Sequence, residues 1–152
     1  MPLSPQLNTA DLNGMEEQAD FFAWTDLAQL RPGARIEVTG LGGYLELIRH
    51  INWQRTCLSA VRGTPVSSAE AVGDWYDTVY APLVAAIRAS NVLRAFPNRT
   101  ETDLYLWVME HGQELLEGAA EHHHKRRWLS WPISGVKRVW LSLHARFPRR
   151  LH

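Results

Sequence analysis

Residues 98–117, NRTETDLYLWVMEHGQELLE, carry the strongest helix signal in the chain. Thr100 or Thr102 can cap the first turn, and Glu101 and Asp103 place negative charge at its positive end. Gly118 is a natural helix end. Apolar and aromatic residues then recur at three- and four-residue steps, which predicts one buried face. That predicted stripe consists of Leu104, Trp107, Val108, His111 and Leu115.

Two further helices are predicted upstream of this segment. The first runs from Gly43 to about Val61, with Tyr44, Leu47, Ile48, Ile51, Leu58 and Val61 on one face. The second follows Ser67, which begins a capping-box pattern with Glu70. Pro82 lies inside the second pattern, and because proline lacks an N–H we expect a kink near Tyr80–Pro82.

The composition and the positions of glycine and proline together predict an all-α protein. We expect a compact bundle of three to five helices with a short strand-like or extended N-terminal segment. The chain has 152 residues, a hydrophobic fraction of 45% and seven tryptophans, enough for a real core. We expect a flexible arm over residues 1–19 and a helical domain over 20–121. Residues 122–152 are predicted to form a basic linker followed by an amphipathic helix.

The net charge of zero hides a division along the chain. All 16 acidic residues lie within residues 1–121, which hold only half of the 16 Lys and Arg, so that part carries −8. Residues 122–152 hold the other eight cations and no acid. Such an asymmetry favours an anionic partner for the tail, whether nucleic acid, an acidic protein surface or anionic lipid, or a tail folded back on its own body.

Several functional classes lack their sequence signals. No apolar run is long enough for a membrane span, and the N-terminus has neither the basic start nor the apolar core of a signal peptide. One cysteine, Cys57, excludes an internal disulfide. The glycines of residues 40–43 lack the Lys-Ser/Thr ending of a P-loop. We expect no cofactor and a cytoplasmic protein, with peripheral association at the membrane left open.

Four residues are candidates for catalysis, because two histidines on facing helices and two carboxylates could meet between those helices. They are His50, Asp77, Asp103 and His111. No metal site is predicted, and His50 and His111 are the only weak candidates, since neither helix carries two ligands at metal-binding spacing. The commoner role of such residues is structural, a buried histidine bonded to a carboxylate or to the backbone.

Candidate binding residues fall into two groups. Arg99 and Tyr76 could line a polar pocket with the carboxylates. The tail combines cations with aromatic residues, which suits phosphate attraction and stacking. Its candidates are Lys125, Arg126, Arg127, Trp128, Lys137, Arg138, Trp140, Arg146, Arg149 and Arg150. The histidines at 122–124 lack a fixed geometry for a metal and are assigned to the same basic tail.

The motifs between residues 21 and 116 have a recognisable order. They are Pro32-Gly33, Gly42-Gly43-Tyr44, His50-Ile51, Glu70-Ala71-Val72, Trp75-Tyr76-Asp77, Val79-Tyr80-Ala81-Pro82, Phe96-Pro97, Arg99-Thr100-Glu101, Asp103-Leu104-Tyr105-Leu106-Trp107 and Glu110-His111. In this order the chain resembles an uncharacterised bacterial family of helical domains, found in some proteins beside ParB-like or universal-stress-like modules. The chain departs from the family pattern at Gln54, where histidine is expected, and at Gly112, where arginine is expected.

The resemblance implies a helical fold in a bacterial cytosol and brings no assigned activity. Together with the charge division, it favours a non-enzymatic regulatory or adaptor module whose tail contacts an anionic partner. Two alternatives stay open at this point. One is a metal-assisted hydrolase with an interhelical His/Asp pocket, and the other is a structural subunit of a larger assembly or homo-oligomer.

Overall fold

The computed structural model describes the backbone of residues 9–121 and the side chains of residues 13–112. Within that range the fold is all-α, as the sequence predicts, and no strand is present. The helices are α1 (Thr9–Thr25), the single turn α2 (Leu27–Leu30), α3 (Gly43–Arg62), α4 (Ser68–Trp75), α5 (Ala81–Ala89) and α6 (Glu101–Glu121). A π-helical turn (Tyr76–Tyr80) joins α4 to α5, and a 3-10 turn (Val92–Ala95) precedes α6. No helix in this part of the chain has the length and apolar character that crossing a membrane requires.

The first helix differs from the expected loose arm over residues 1–19, because α1 is already helical from Thr9. Two of its polar side chains bind the rest of the fold. The Gln18 amide donates to the carbonyl of Ile36, 3.2 Å away, and the Glu17 carboxylate accepts the N–H of Gly42 at the start of α3. A polar composition therefore does not leave this segment unpartnered.

Residues 34–39, between the turns that follow α2 and precede α3, form neither helix nor strand and are held from both sides. Ile36 is buried, and its carbonyl also accepts from the Tyr44 hydroxyl at 3.2 Å. On the other side, Thr100 donates to the carbonyl of Glu37 at 2.5 Å. The strand-like run predicted here is thus an extended strap without a strand partner, and its backbone groups are satisfied by helix side chains.

The predicted starts of the helices at Ser67 and Thr100 agree with the structure, whereas the end predicted at Gly118 is wrong, because α6 continues to Glu121. Ser67 accepts the N–H of Glu70 at 3.2 Å, although the Glu70 carboxylate pairs with Arg62 instead of completing a capping box. Thr100 and Asp103 do form a reciprocal cap, since each side chain accepts the backbone N–H of the other residue, at 3.1 and 2.9 Å.

The break expected near Pro82 is the π-helical turn. Proline has no N–H to offer the preceding turn, and the N–H of Ala81 reaches back to the carbonyl of Tyr76, five residues earlier. The proline then lies in the first turn of α5, where its missing donor is tolerated.

The core lies where α3, α4, α5 and α6 meet, and α1 and the extended strap cover one side. Its largest fully buried side chains are Trp75, Tyr105, Phe21, Leu27, Ile36, Leu47, Ile51, Leu83 and Ile87. Val61, predicted on the buried face of α3, is 87% exposed because it lies in the last turn beyond the packed part of the helix.

The predicted stripe of α6 is correct for Val108 and wrong for Trp107. The buried positions are Thr102, Tyr105, Val108 and Gly112, whereas Trp107 is 46% exposed. The inward face is therefore about half a turn away from Trp107. Tyr105, whose hydroxyl has hydrogen-bond partners, lies at its centre.

We expect Gly43→Ala to lower the free energy of unfolding by about 1–3 kcal/mol, the usual cost of overpacking. A Cβ at this buried position would collide with Cγ1 of Val38 in the strap. Gly40→Ala is the matched control, since a Cβ there meets nothing within 4 Å and the change should stay within about 0.5 kcal/mol. Urea unfolding of both variants measures the difference, and equal stabilities would contradict the packing described.

Candidate functional site

The most enclosed polar atom between the helices is the hydroxyl of Tyr105, a residue with no exposed surface. The indole N–H of Trp75 in α4 donates to it at 3.1 Å, and Nδ1 of His50 in α3 lies 3.1 Å from it. One phenol thus joins α3, α4 and α6. Burial raises the pKa of Tyr105 far above its ordinary value, so the group stays a neutral phenol.

These contacts favour one tautomer of His50, the one that uses the Tyr105 proton. Since the Tyr105 oxygen already accepts from Trp75, its own proton is available to Nδ1 of His50, and the neutral ring then carries its proton on Nε2. Burial lowers the pKa of His50, opposed by the charge of Glu46 one turn earlier. The histidine is thus held neutral as a hydrogen-bond acceptor.

Aromatic rings surround this hydroxyl. Tyr80 lies with its ring centroid 5.0 Å from that of Tyr105 and 5.1 Å from that of Trp75, and Tyr76 stacks on Tyr80 at 5.5 Å. We call Trp75, Tyr76, Tyr80 and Tyr105 the aromatic cluster. Ring pairs at these separations add stability beyond the area they bury.

The second buried phenol of the cluster, Tyr80, is also fully partnered. Its hydroxyl lies 2.7 Å from Oγ1 of Thr102 and donates to the carbonyl of Arg35 at 3.4 Å, so the threonine proton can be given to Tyr80. Burial raises the pKa of Tyr80 to about 12. Neither phenol of the core is poised to ionise near neutral pH.

Another polar contact joins α3 to α4 and was not anticipated from the sequence. Gln54 is buried, and its amide donates to the carboxylate of Asp74, which also accepts from Thr78 at 3.4 Å. The only sequence signal for it is the position of Gln54, seven residues after Leu47 and three after Ile51 on the buried face of α3.

Asp77 lies on the outer side of the π-helical turn and pairs with Arg31. The guanidinium donates through Nε and Nη2 to the two carboxylate oxygens, at 2.8 and 2.5 Å. This hydrogen bonding holds the pKa of Asp77 below its ordinary value. Both side chains are more than a third exposed, so solvent screens the attraction between them.

Asp103 is occupied at the start of α6. Burial raises its pKa, but hydrogen bonds from Thr39 and Thr100 outweigh burial and hold the pKa below its ordinary value. The Thr39 hydroxyl donates to this carboxylate at 2.6 Å and accepts from Arg99 at 3.4 Å. Arg99 therefore reaches Asp103 through Thr39, and the group fastens the extended strap to α6.

His111 lies on the outside of α6. Its ring stacks on Trp107 with centroids 5.1 Å apart, its Nδ1 donates to the carbonyl of Trp107 at 3.1 Å, and the carboxylate of Glu110 is 3.8 Å away. His50 of α3, in contrast, contacts Tyr105, which lies on the inner side of α6.

The structure therefore gives the four catalytic candidates separate partners. Among the described side chains, no hydrogen bond or ion pair joins any two of His50, Asp77, Asp103 and His111. No group of three or more potential ligands suited to a metal occurs in the same part of the chain. Tyr76 belongs to the aromatic cluster, and all the binding candidates from Lys125 to Arg150 lie outside the described residues. A catalytic role for the four remains a prediction.

We expect Tyr105→Phe to destabilise the fold by about 1–3 kcal/mol, the cost of leaving buried polar groups unpartnered. The substitution keeps the ring but removes the acceptor of Trp75 and the donor to His50. Urea unfolding measures the loss. Tyr76→Phe is the control, because that residue is only half-buried, and a loss no greater than in this control would contradict the network.

We expect stability to fall on acidification in part through His50. Its pKa in the folded state is below the unfolded value, so the contribution is fully present above about pH 6.5 and is lost as the pH falls through the folded pKa. Protonation also removes the acceptor for the Tyr105 proton. The loss between pH 8 and pH 5.5 should be steeper in the unmodified protein than in His50→Gln, and parallel pH profiles of unfolding would refute it.

The resemblance noted from the sequence stays a prediction. Comparisons of the chain with protein-family models, with curated proteins and with solved structures gave no match.

Proposed function

We propose that the protein is a non-enzymatic regulatory or adaptor module of a bacterial cytosol whose basic C-terminal tail contacts an anionic partner. The observation that carries the proposal is the separation of charge along the chain. Residues 122–152 contain eight Lys and Arg and no acid, whereas residues 1–121 carry −8. Residues 122–152 contain no Asp or Glu to neutralise their positive charge. A partner rich in phosphate or carboxylate would neutralise it.

The described contacts support a non-enzymatic role because they give the strongest catalytic candidates structural work. Asp103 joins the strap to α6, Asp77 joins the π-helical turn to the end of α2, and His50 joins α3 to α6. In each case a neighbour within the fold engages the charge or a lone pair of the candidate.

The composition of the tail supports an extended, charged and partly stacked partner. Trp128, Trp131 and Trp140 alternate with its cations. Tryptophan between cations can stack on unpaired bases or insert at a lipid headgroup layer. The shared chemistry is a polyanion with an apolar or aromatic component, and the experiment distinguishes its sources.

We expect the full chain to bind DNA, RNA or anionic vesicles with an affinity that falls steeply with salt. For a nucleic acid, replacing Lys125, Arg126 and Arg127 by glutamine should reduce the slope of log affinity against log salt by about two to three units. Fluorescence anisotropy measures binding to labelled duplex and single-stranded oligonucleotides, and sedimentation measures binding to phosphatidylserine vesicles.

Three exposed arginines of the body provide the matched control. Arg35→Gln/Arg49→Gln/Arg94→Gln removes three positive charges from the helical domain and should leave the salt slope unchanged. Equal effects of the body and tail variants, or no salt-dependent binding to any of the three probes, would refute the proposal.

A further inference from the structure

The outer face of α6 is exposed and carries an aromatic pair. The helix turns Tyr105, Val108 and Gly112 inward. Trp107 is 46% exposed, and the side chain of Glu110 is 77% exposed. His111 stacks on Trp107, so these two rings form a flat apolar step beside a carboxylate. We define the outer face of α6 as helix positions 107, 110, 111, 114, 117 and 121.

The sequence makes the outer face strongly acidic. Positions 110, 114, 117 and 121, spaced by four, three and four residues, are all glutamate, and α6 contains no Lys or Arg. Like charges at these spacings repel one another along a helix. The last turn also ends at the negative pole of the helix dipole, where acids are unfavourable and cations are favourable. A cationic segment placed along this face would relieve both effects.

The chain itself supplies such a segment immediately after α6. Residues 122–152 begin one residue after Glu121 and combine eight cations with three tryptophans. The outer face is about 21 Å long at 1.5 Å per helical residue. A dozen residues span at most roughly 40 Å, so the chain after Glu121 is long enough for residues 134–150 to reach any point of this face. The short connection also gives this segment a high effective concentration at the face.

We propose that the C-terminal segment docks on the outer face of α6 and is released when an anionic partner takes up its cations. This inference rests on the proposed function, because the same cations serve both contacts. The tryptophans of the segment match the exposed Trp107–His111 pair in chemistry, and its Lys and Arg are opposite in charge to the exposed Glu110. The anionic partner and α6 therefore compete, and partner binding uncovers the outer face.

Helix α1 is another acidic helix in the part of the chain that the structure describes, and it is less suited to the segment. It also contains no Lys or Arg, and Trp24 is 45% exposed. However, its Glu17 carboxylate is used in the contact with the N–H of Gly42. The segment follows α6 directly, whereas its distance along the chain from α1 is about a hundred residues.

The test attaches a nitroxide to the full chain and measures paramagnetic broadening of backbone amide signals. Cys57→Ser/Ser142→Cys places the label within the C-terminal segment. At low salt the amides of residues 107–111 should broaden several-fold more than those of α1, and high salt or a short polyphosphate chain should remove the difference. Glu110→Arg and Trp107→Ala should each reduce it several-fold, whereas Glu16→Arg, the same charge change on the exposed side of α1, should leave it unchanged.

Broadening centred on α1, uniform broadening, or broadening insensitive to Glu110→Arg would overturn the inference. Mixing spin-labelled chains with isotopically labelled chains tests the second-copy alternative, and broadening that passes between chains also overturns it. Binding of nucleic acid or vesicles without broadening on α6 leaves the proposed function standing and removes only the docking. Broadening on α6 without binding to any polyanion refutes the proposed function and the release by a partner, and it leaves only the docking.

Discussion

The rest of the fold depends on one buried hydroxyl, that of Tyr105. It lies at the point where α3, α4 and α6 meet, and it satisfies the indole of Trp75 and the imidazole of His50 together. Without it, the Trp75 N–H and the His50 nitrogen would be buried without partners. Packing the three helices this closely would then cost the free energy of desolvating both groups. The phenol therefore fixes which faces of the helices meet, in addition to filling volume.

The extended strap depends on that arrangement in turn. Its backbone carbonyls are bound by Gln18 of α1, by Tyr44 of α3 and by Thr100, the residue before α6, and its Thr39 bonds to Asp103. These partners lie in or next to three helices, so the strap can be satisfied only after the helices are positioned. A segment without internal hydrogen bonds thus acquires order from its surroundings.

Local signals in the sequence correctly predict part of the fold. The span of α3, the cap at Ser67, the cap at Thr100 and the break near Pro82 all follow from interactions within a few residues. The inward face of α6 does not, because hydrophobicity favours Trp107 over Tyr105, and the phenol is acceptable inside only through Trp75 and His50, 30 and 55 residues away. The same holds for α1, whose polar residues find partners in the strap and at the start of α3. The candidate site residues were chosen by residue type. Their hydrogen-bond partners are distant in the sequence, so residue spacing alone does not predict them.

The π-helical turn has a consequence for how the chain tolerates changes in length. It accommodates one more residue than an α-helical turn, and Val79 and Tyr80 are both buried within it. Deleting one residue between Tyr76 and Tyr80 would let this stretch wind as a regular α-helix, and α5 would keep its rotational position because the wide turn absorbs the extra residue locally. Winding the same residues as a regular α-helix without a deletion would instead rotate every later residue by about 100°. Leu83 and Ile87 would then leave the core, and Arg88 would turn away from Glu101. The π-helical turn is therefore a place where the chain can lose one residue and still keep the core contacts of α5.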